Sequence, residues 1–235
     1  MNEKTHINHG INTPGEDPNK KIFSVDPHGL TSWNQDITEG LLSSKCFDNG
    51  HGRSSNKMQR LQYYDYVLSY VTTGGNWMEF GVWKGDSINY ISSKTRNAVY
   101  GFDSFEGLPS DWHPENDFCP KGTFTLNGFL PKVNTNVLLL KGWFKDTLPK
   151  FLKNNTKHCS LVHLDCDLYA GADLVLRSLE SRIVSGTVIM MDEYWYCHRW
   201  KDHEYKAFQE FIERTGLRYE YIAHTDRGKA AVKIL

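Results

Sequence analysis

No stretch of this 235-residue chain is apolar for long enough to span a bilayer, and its first residues, MNEKTHINHGINTPGEDPNKK, lack the hydrophobic centre of a secretory leader. A membrane partner is therefore not expected. A basic run is missing too: 27 Lys and Arg face 28 Asp and Glu, for a formal net charge of -1, so nothing advertises a phosphate-backbone partner and nucleic acid is not an expected ligand. Cysteine is scarce. The five present (Cys46, Cys119, Cys159, Cys166, Cys197) are odd in number and show no C-x-x-C spacing, which points to reduced thiols in a cytoplasmic protein rather than a disulfide scaffold or a zinc site. Internal repeats and low-complexity tracts are absent as well.

What is there suits one folded domain. Aromatic residues make up 13% of the chain, consistent with an aromatic-lined cleft, and the length supports a single substantial core. The first thirty or so residues are rich in Asn, Gly, Pro, His and Lys without periodicity and read as a mobile arm. Residues 1–55 are assigned to a partly flexible N-terminal arm and 56–235 to the domain. An arm of that length can reach a neighbouring subunit, which keeps a homo-oligomer as an option.

From Asn56 to Tyr70 the apolar positions Met58, Leu61, Tyr64, Val67 and Leu68 recur at steps of three and four, predicting an amphipathic helix. Beyond Gly74-Gly75 short apolar runs follow at 77–80, 98–102, 137–140, 161–165, 187–192, 218–223 and 229–235, with helical patterns near 86–95, 146–153, 171–183 and 202–215. Such alternation predicts an α/β fold of Rossmann-like type, a seven-stranded, mostly parallel sheet with helices on both faces. The last two runs are joined only by HTDRG, too short for a crossover helix, so they must pair antiparallel as a C-terminal edge hairpin.

In doubly wound sheets ligands sit beyond the carboxyl ends of the strands, where strand order reverses. The first of these strands runs into Glu79-Phe80-Gly81-Val82-Trp83-Lys84-Gly85-Asp86-Ser87. Gly81 and Gly85 permit a tight turn and close backbone approach, and the helix that follows offers free N–H groups to a carboxylate. The second strand ends in Asp103, placed to accept hydrogen bonds from ribose hydroxyls. The glycine spacing is G-x-x-x-G, not G-x-G-x-x-G, and Glu79 would repel a pyrophosphate while suiting the cationic amino group of a methionine moiety. A nucleoside cofactor is expected.

Two later strands end in acids, Asp165 and Asp167 in LVHLDCDLY and Asp192 and Glu193 in VIMMDEYW. On neighbouring strands these carboxyl groups would converge and repel one another unless a cation or proton intervened. All-oxygen ligation selects a hard ion such as Mg²⁺, with Mn²⁺ as the alternative. His163 reads as a buried core histidine, Cys166 as a packing residue, and His198 as the reserve base. Tyr169, Tyr194, Trp195, Tyr196 and Trp200 crowd the same rim, and one or two are expected to contact substrate.

Taken in order, EFGVWKGDS, YGFDSFEGLP, KGWFKDTLP, HLDCDLY and MMDEYW resemble the macrocin O-methyltransferase family over roughly residues 76–215. The family methylates sugar hydroxyls on natural products, and its class I fold also ends in an antiparallel hairpin. The resemblance implies S-adenosylmethionine, with Glu79, Gly81 and Ser87 near its amino acid end, Asp103 on the ribose and the Gly142-Trp143 turn near the adenine. It further implies Asp165, Asp192 and Glu193 as metal ligands and Asp167 as general base. At Glu193 the family more usually has aspartate, so the reach of that ligand differs here. The expected acceptor is a sugar-containing small molecule or a glycan. Two other readings stay open: a nucleotide-dependent oxidoreductase or hydroxylase-like relative, and a non-catalytic nucleoside-binding module.

Overall fold

The computed structural model describes residues 40–41, 44–47, 57–113, 118–195, 199–225 and 228–235. Eight strands make one sheet: β1 (Lys45–Phe47), β2 (Asn76–Phe80), β3 (Val99–Asp103), β4 (Val137–Lys141), β5 (Cys159–Leu164), β6 (Val188–Met191), β7 (Tyr219–Thr225) and β8 (Ala230–Ile234). The helices are α1 (Lys57–Leu68), α2 (Asp86–Ser93), α3 (Phe144–Asn154), α4 (Tyr169–Leu179) and α5 (Glu204–Thr215). Each of the seven expected strands and five expected helices is present, with ends displaced by a few residues.

Strand order is β1-β7-β8-β6-β5-β2-β3-β4. β2 and β5 are buried at every position, as central parallel strands covered on both faces must be. One face is closed by α1 and α2 through Tyr63, Tyr64, Val67, Ile88 and Ile91. The other is closed by α3, α4 and α5 through Leu148, Val175, Leu176, Phe208 and Phe211.

The sheet has one strand more than expected, and the hairpin is not its edge. β1 lies parallel on the outer side of β7, Lys45 beside Ala223 and Phe47 beside Thr225. Ser44 Oγ and His224 Nδ1, 2.9 Å apart, tie the two together. Three residues carry no readable period, and their segment falls within the stretch assigned to the arm. What recruits them is the row of unpaired backbone groups along β7, a long-range property.

Two features of the topology place the site. From β2 the chain proceeds to β3 and β4 on one side, then returns to β5 on the other, so the crevice opens between β2 and β5. β8 pairs antiparallel with β6, Met191 opposite Ala230, which brings the start of β8 to the carboxyl end of β6.

Candidate active site

At the end of β2 the chain turns at Gly81, with φ 93°. A Cβ there would lie 1.7 Å from the backbone oxygen of Asp165, so only glycine lets the turns after β2 and β5 approach this closely. Gly85 (φ 84°) ends the turn as the residue preceding α2, and its N–H donates to Val82 O at 2.8 Å. Asp103 locks the loop onto β3: Oδ2 accepts from the backbone N–H of Val82 and of Trp83, each at 2.8 Å, and Oδ1 from that of Phe105 at 2.7 Å. A carboxylate offers about four acceptor positions. Three are thus committed to the loop, leaving a single one for a ligand hydroxyl where the sequence suggested two. Gly142 joins the same turn system, its N–H donating to Asp103 O at 2.9 Å, and Trp143 follows directly before α3. Gly81, Gly85, Asp103, Gly142 and Trp143 therefore form a contiguous rim.

Glu79 and Ser87 lie beneath that rim. Glu79 is 0% exposed; Ser87 Oγ donates to its Oε1 at 2.9 Å, and His163 Nδ1 stands 3.0 Å from its Oε2. Both carboxyl oxygens have a protein partner and the side chain is fully buried, which ties Glu79 to Ser87 and His163 beneath the rim. Burial raises its pKa, with His163 and Ser87 opposing. The other ring nitrogen of His163, Nε2, is 3.0 Å from Asp192 Oδ1. Burial would drive His163 toward neutrality, but the two flanking acids outweigh it and hold its pKa well above the ordinary value. Each ring nitrogen thus faces a carboxyl oxygen, an arrangement that favours the protonated ring. Beyond it Lys229 donates to Asp192 Oδ2.

Asp192 was expected among the metal ligands. Here its two oxygens face His163 and Lys229; burial works to raise its pKa, but Lys229 and His163 prevail and hold it well below the usual carboxylate range. The group able to bracket an ion without His163 is Asp165, Asp167 and Glu193, whose ligand atoms all lie within 4.8 Å of one another. His163, Asp165 and Asp192 make a second such group. Asp165 is pushed up to about 7 by burial and by the charge of Asp192. Asp167, in the left-handed region at φ 63°, is raised well above its ordinary value by burial and then by Asp165. Glu193 is likewise raised, by burial and then by Asp167. Its Oε2 is buried without a hydrogen-bond partner. An orphaned carboxyl oxygen amid other carboxyl groups is what a cation site should show, and the oxygen-only donors suit a hard divalent ion.

Sequence reasoning missed two residues. Glu204, the first residue of α5, is fully buried; its Oε2 accepts from Glu193 N–H at 3.0 Å while Oε1 has no hydrogen-bond partner. Burial and Asp192 push it up to about 8. Lys229 was legible in principle, since an antiparallel β8 beside β6 puts the residue before Ala230 opposite the one after Met191. Glu204 carried no such signal.

Among the other candidates, His198 and Tyr196 lie outside the described residues. Cys166 packs with the core on the α3–α5 side, as expected. Tyr194 is no substrate contact: it is 0% exposed, its hydroxyl 2.5 Å from that of Tyr221 and 3.0 Å from Gln209 Nε2. Tyr169 donates to Glu210 at 2.6 Å, Trp200 sits edge-on to Tyr205 and Trp195 edge-on to His224. No helix among the described residues is long and apolar enough to cross a membrane.

A central parallel sheet closed by an antiparallel hairpin, with its crevice between β2 and β5, defines a Rossmann-like fold of the class I methyltransferase type. The same fold is seen in a calicheamicin methyltransferase, CalS11 (TM-score 0.61, 20% identity, 75% of this chain and 79% of that one). It recurs in the O-methyltransferase NovP (TM-score 0.50, 22% identity, 74% and 76%). Residues 52–226 match the model of the Macrocin-O-methyltransferase (TylF) family, and the chain belongs to that family. It is 28% identical over 162 residues to 8-demethyl-8-(2,3-dimethoxy-alpha-L-rhamnosyl)-tetracenomycin-C 4'-O-methyltransferase of Streptomyces olivaceus, covering 59% of this chain. It is 28% identical over 158 residues to demethyldecarbamoylnovobiocin O-methyltransferase of Streptomyces niveus, covering 57% of this chain. The chain spans 60% and 58% of the lengths of these two relatives.

Proposed function

We propose that this chain transfers a methyl group from S-adenosylmethionine to a hydroxyl of a sugar or glycosylated acceptor, with a carboxylate taking the hydroxyl proton and a divalent cation, Mg²⁺ or Mn²⁺, bound alongside. The observation that carries the reading is the contact between Gly81 and Asp165: the turn fit for a nucleoside and the acids fit for a cation are one backbone approach apart. Family membership supports the reaction class, as does the novobiocin relative, and the tetracenomycin relative, named for a rhamnosyl 4'-O-methyl transfer, supports a glycosylated acceptor.

Asp103, oriented by three backbone N–H groups, would accept from a ribose hydroxyl. The N-terminus of α2 would receive the methionine carboxylate. Glu79 and Ser87 hold that helix start against β2 from below. Asp165 and Glu193 would hold the cation, with Asp192 as a third ligand once it is released from Lys229, and the cation when bound would lower the pKa of the acceptor hydroxyl. S-adenosylmethionine supplies an electrophilic methyl on a sulfonium. Asp167 takes the hydroxyl proton as the new O–C bond forms and the C–S bond breaks, leaving S-adenosylhomocysteine. A carboxyl whose pKa is raised by burial is better matched to proton transfer near neutrality than an ordinary one.

The test is methyl transfer from isotope-labelled S-adenosylmethionine to rhamnose-bearing acceptors, with binding of S-adenosylmethionine and of NADH titrated in parallel. Labelled product that needs Mg²⁺ and disappears in Asp167→Asn, while cofactor binding persists, is the expected result. Binding of NADH in place of S-adenosylmethionine, or full turnover in excess chelator, overturns it.

A further inference from the structure

Lys229 has no part in the reaction just described, yet its ammonium lies in the acidic cluster, 8% exposed and donating to Asp192. It reaches that position because β8 runs antiparallel to β6, so the residue before Ala230 meets the residue after Met191. His163 occupies the other oxygen of Asp192 at 3.0 Å. On the far side, Asp165, Asp167 and Glu193 converge, and buried oxygens of Glu193 and Glu204 are left without hydrogen-bond partners. The compensation is therefore uneven: Asp192 is fully partnered by protein cations, while its neighbours are not. A divalent ion that recruited Asp192 along with Asp165 would have to share that carboxylate with Lys229 or displace it.

We propose that Lys229 is a resident cation of the site, competing with the divalent ion for Asp192 and so setting the ion concentration at which the site loads. The inference rests on the reading of the acidic cluster as a cation site. Its physical basis is that an ammonium and a divalent ion drawn to the same carboxylate repel each other across a few ångströms of poorly screening interior, so each weakens the hold of the other. With the ion absent, the lysine keeps a buried group of acids from being wholly uncompensated, which lets the empty site fold.

The experiment is calorimetric titration of the purified chain with MgCl₂, without cofactor, on the wild type, Lys229→Met, Lys229→Arg, Asp192→Asn and the Lys229→Met/Asp192→Asn double variant. Lys229→Met frees Asp192 and should tighten Mg²⁺ binding by about tenfold or more, the size of effect that a change at a ligand or its immediate support produces. Lys229→Arg keeps the charge but grips a carboxylate with two donors, so it should weaken binding several-fold. Asp192→Asn should cost far more affinity in the Lys229→Met background than in the wild type. If Lys229 acted only through its field, Asp192→Asn would have the same effect in both backgrounds and Lys229→Arg would match the wild type; either result overturns the proposal. Unchanged or weaker binding by Lys229→Met also overturns it. Should Lys229→Met fail to fold, Lys229→Arg decides alone. Absence of Mg²⁺ binding in every variant would refute the cation-site reading itself, whereas binding that is indifferent to Lys229 would refute only the competition.

Discussion

Replacing His163 with leucine tests the buried relay that links the cofactor turn to the acids. The imidazole stands 3.0 Å from Glu79 Oε2 and 3.0 Å from Asp192 Oδ1, with no exposure of its own. Leucine fills a similar volume against Tyr64, whose ring is edge-on to His163, so packing changes little. Asp192 keeps Lys229, but Glu79 keeps only Ser87. A fully buried carboxylate with one neutral donor will take up a proton. From an ordinary value of about 4.3, holding it protonated at about pH 7 costs ~3–4 kcal/mol at ~1.4 kcal/mol per pH unit. The lost hydrogen bond to Asp192 adds ~1–2 kcal/mol, and release from burying the imidazolium offsets a similar amount. Burial already raises the Glu79 pKa in the wild type, so part of that cost is common to both proteins and a net loss of ~2–3 kcal/mol is expected, a large share of the ~5–15 kcal/mol typical of a domain. The assay is equilibrium urea unfolding. The variant's deficit should also depend on pH in a fixed sense. A carboxyl whose folded pKa is raised contributes stability that is present below its unfolded pKa and is lost as pH rises, so the deficit should shrink to ~1 kcal/mol near about pH 5 and grow toward neutrality. A loss below ~1 kcal/mol at about pH 7, or a deficit insensitive to pH, would show that the relay is not ionic as described.

Three other outcomes follow from the same geometry. Gly81→Ala should weaken S-adenosylhomocysteine binding at least about tenfold by calorimetry, because its Cβ would meet a backbone oxygen at 1.7 Å. Gly122→Ala is its control: φ is also positive, at 86°, but nothing lies within 4 Å, so only the ~1–2 kcal/mol of left-handed strain is expected and binding should be unchanged. Mg²⁺ at about a hundred times its dissociation constant should stabilise the chain by ~2.7 kcal/mol, a melting shift of ~5–11 °C that EDTA reverses and Glu193→Gln abolishes. No shift in the wild type would contradict a cation held by Glu193. Tyr194→Phe removes a hydroxyl 2.5 Å from that of Tyr221 and 3.0 Å from Gln209, and should cost ~1–3 kcal/mol in urea unfolding without altering cofactor affinity; altered affinity would return Tyr194 to the substrate rim.

The placement of the candidate site residues was legible wherever it depended on neighbours in the chain. Gly81, Gly85 and Asp103 were found because a turn after a strand and an acid at the next strand's end are local patterns that the sheet then brings together. Asp165, Asp167 and Glu193 were found because strand ends can be read from apolar runs. Where a side chain points once it is there was less accessible: Glu79 turned down into the core and Asp192 toward a lysine, since each was decided by a partner on another strand.

By itself, then, the sequence determined the alternation of strands and helices, the antiparallel closing hairpin, the turns that demand glycine and the set of acids at the carboxyl edge. Each of these is encoded in period, run length or loop length over a few residues. Only the tertiary structure decided that β1 would cover β7, that Tyr194 would be core, that Glu204 would hold Glu193, and that His163 and Lys229 would share Asp192 between them. Those outcomes turn on which groups remain unpaired when distant strands meet in a poorly screening interior, where an unpaired charge or backbone group is costly enough to select its partner from anywhere in the chain.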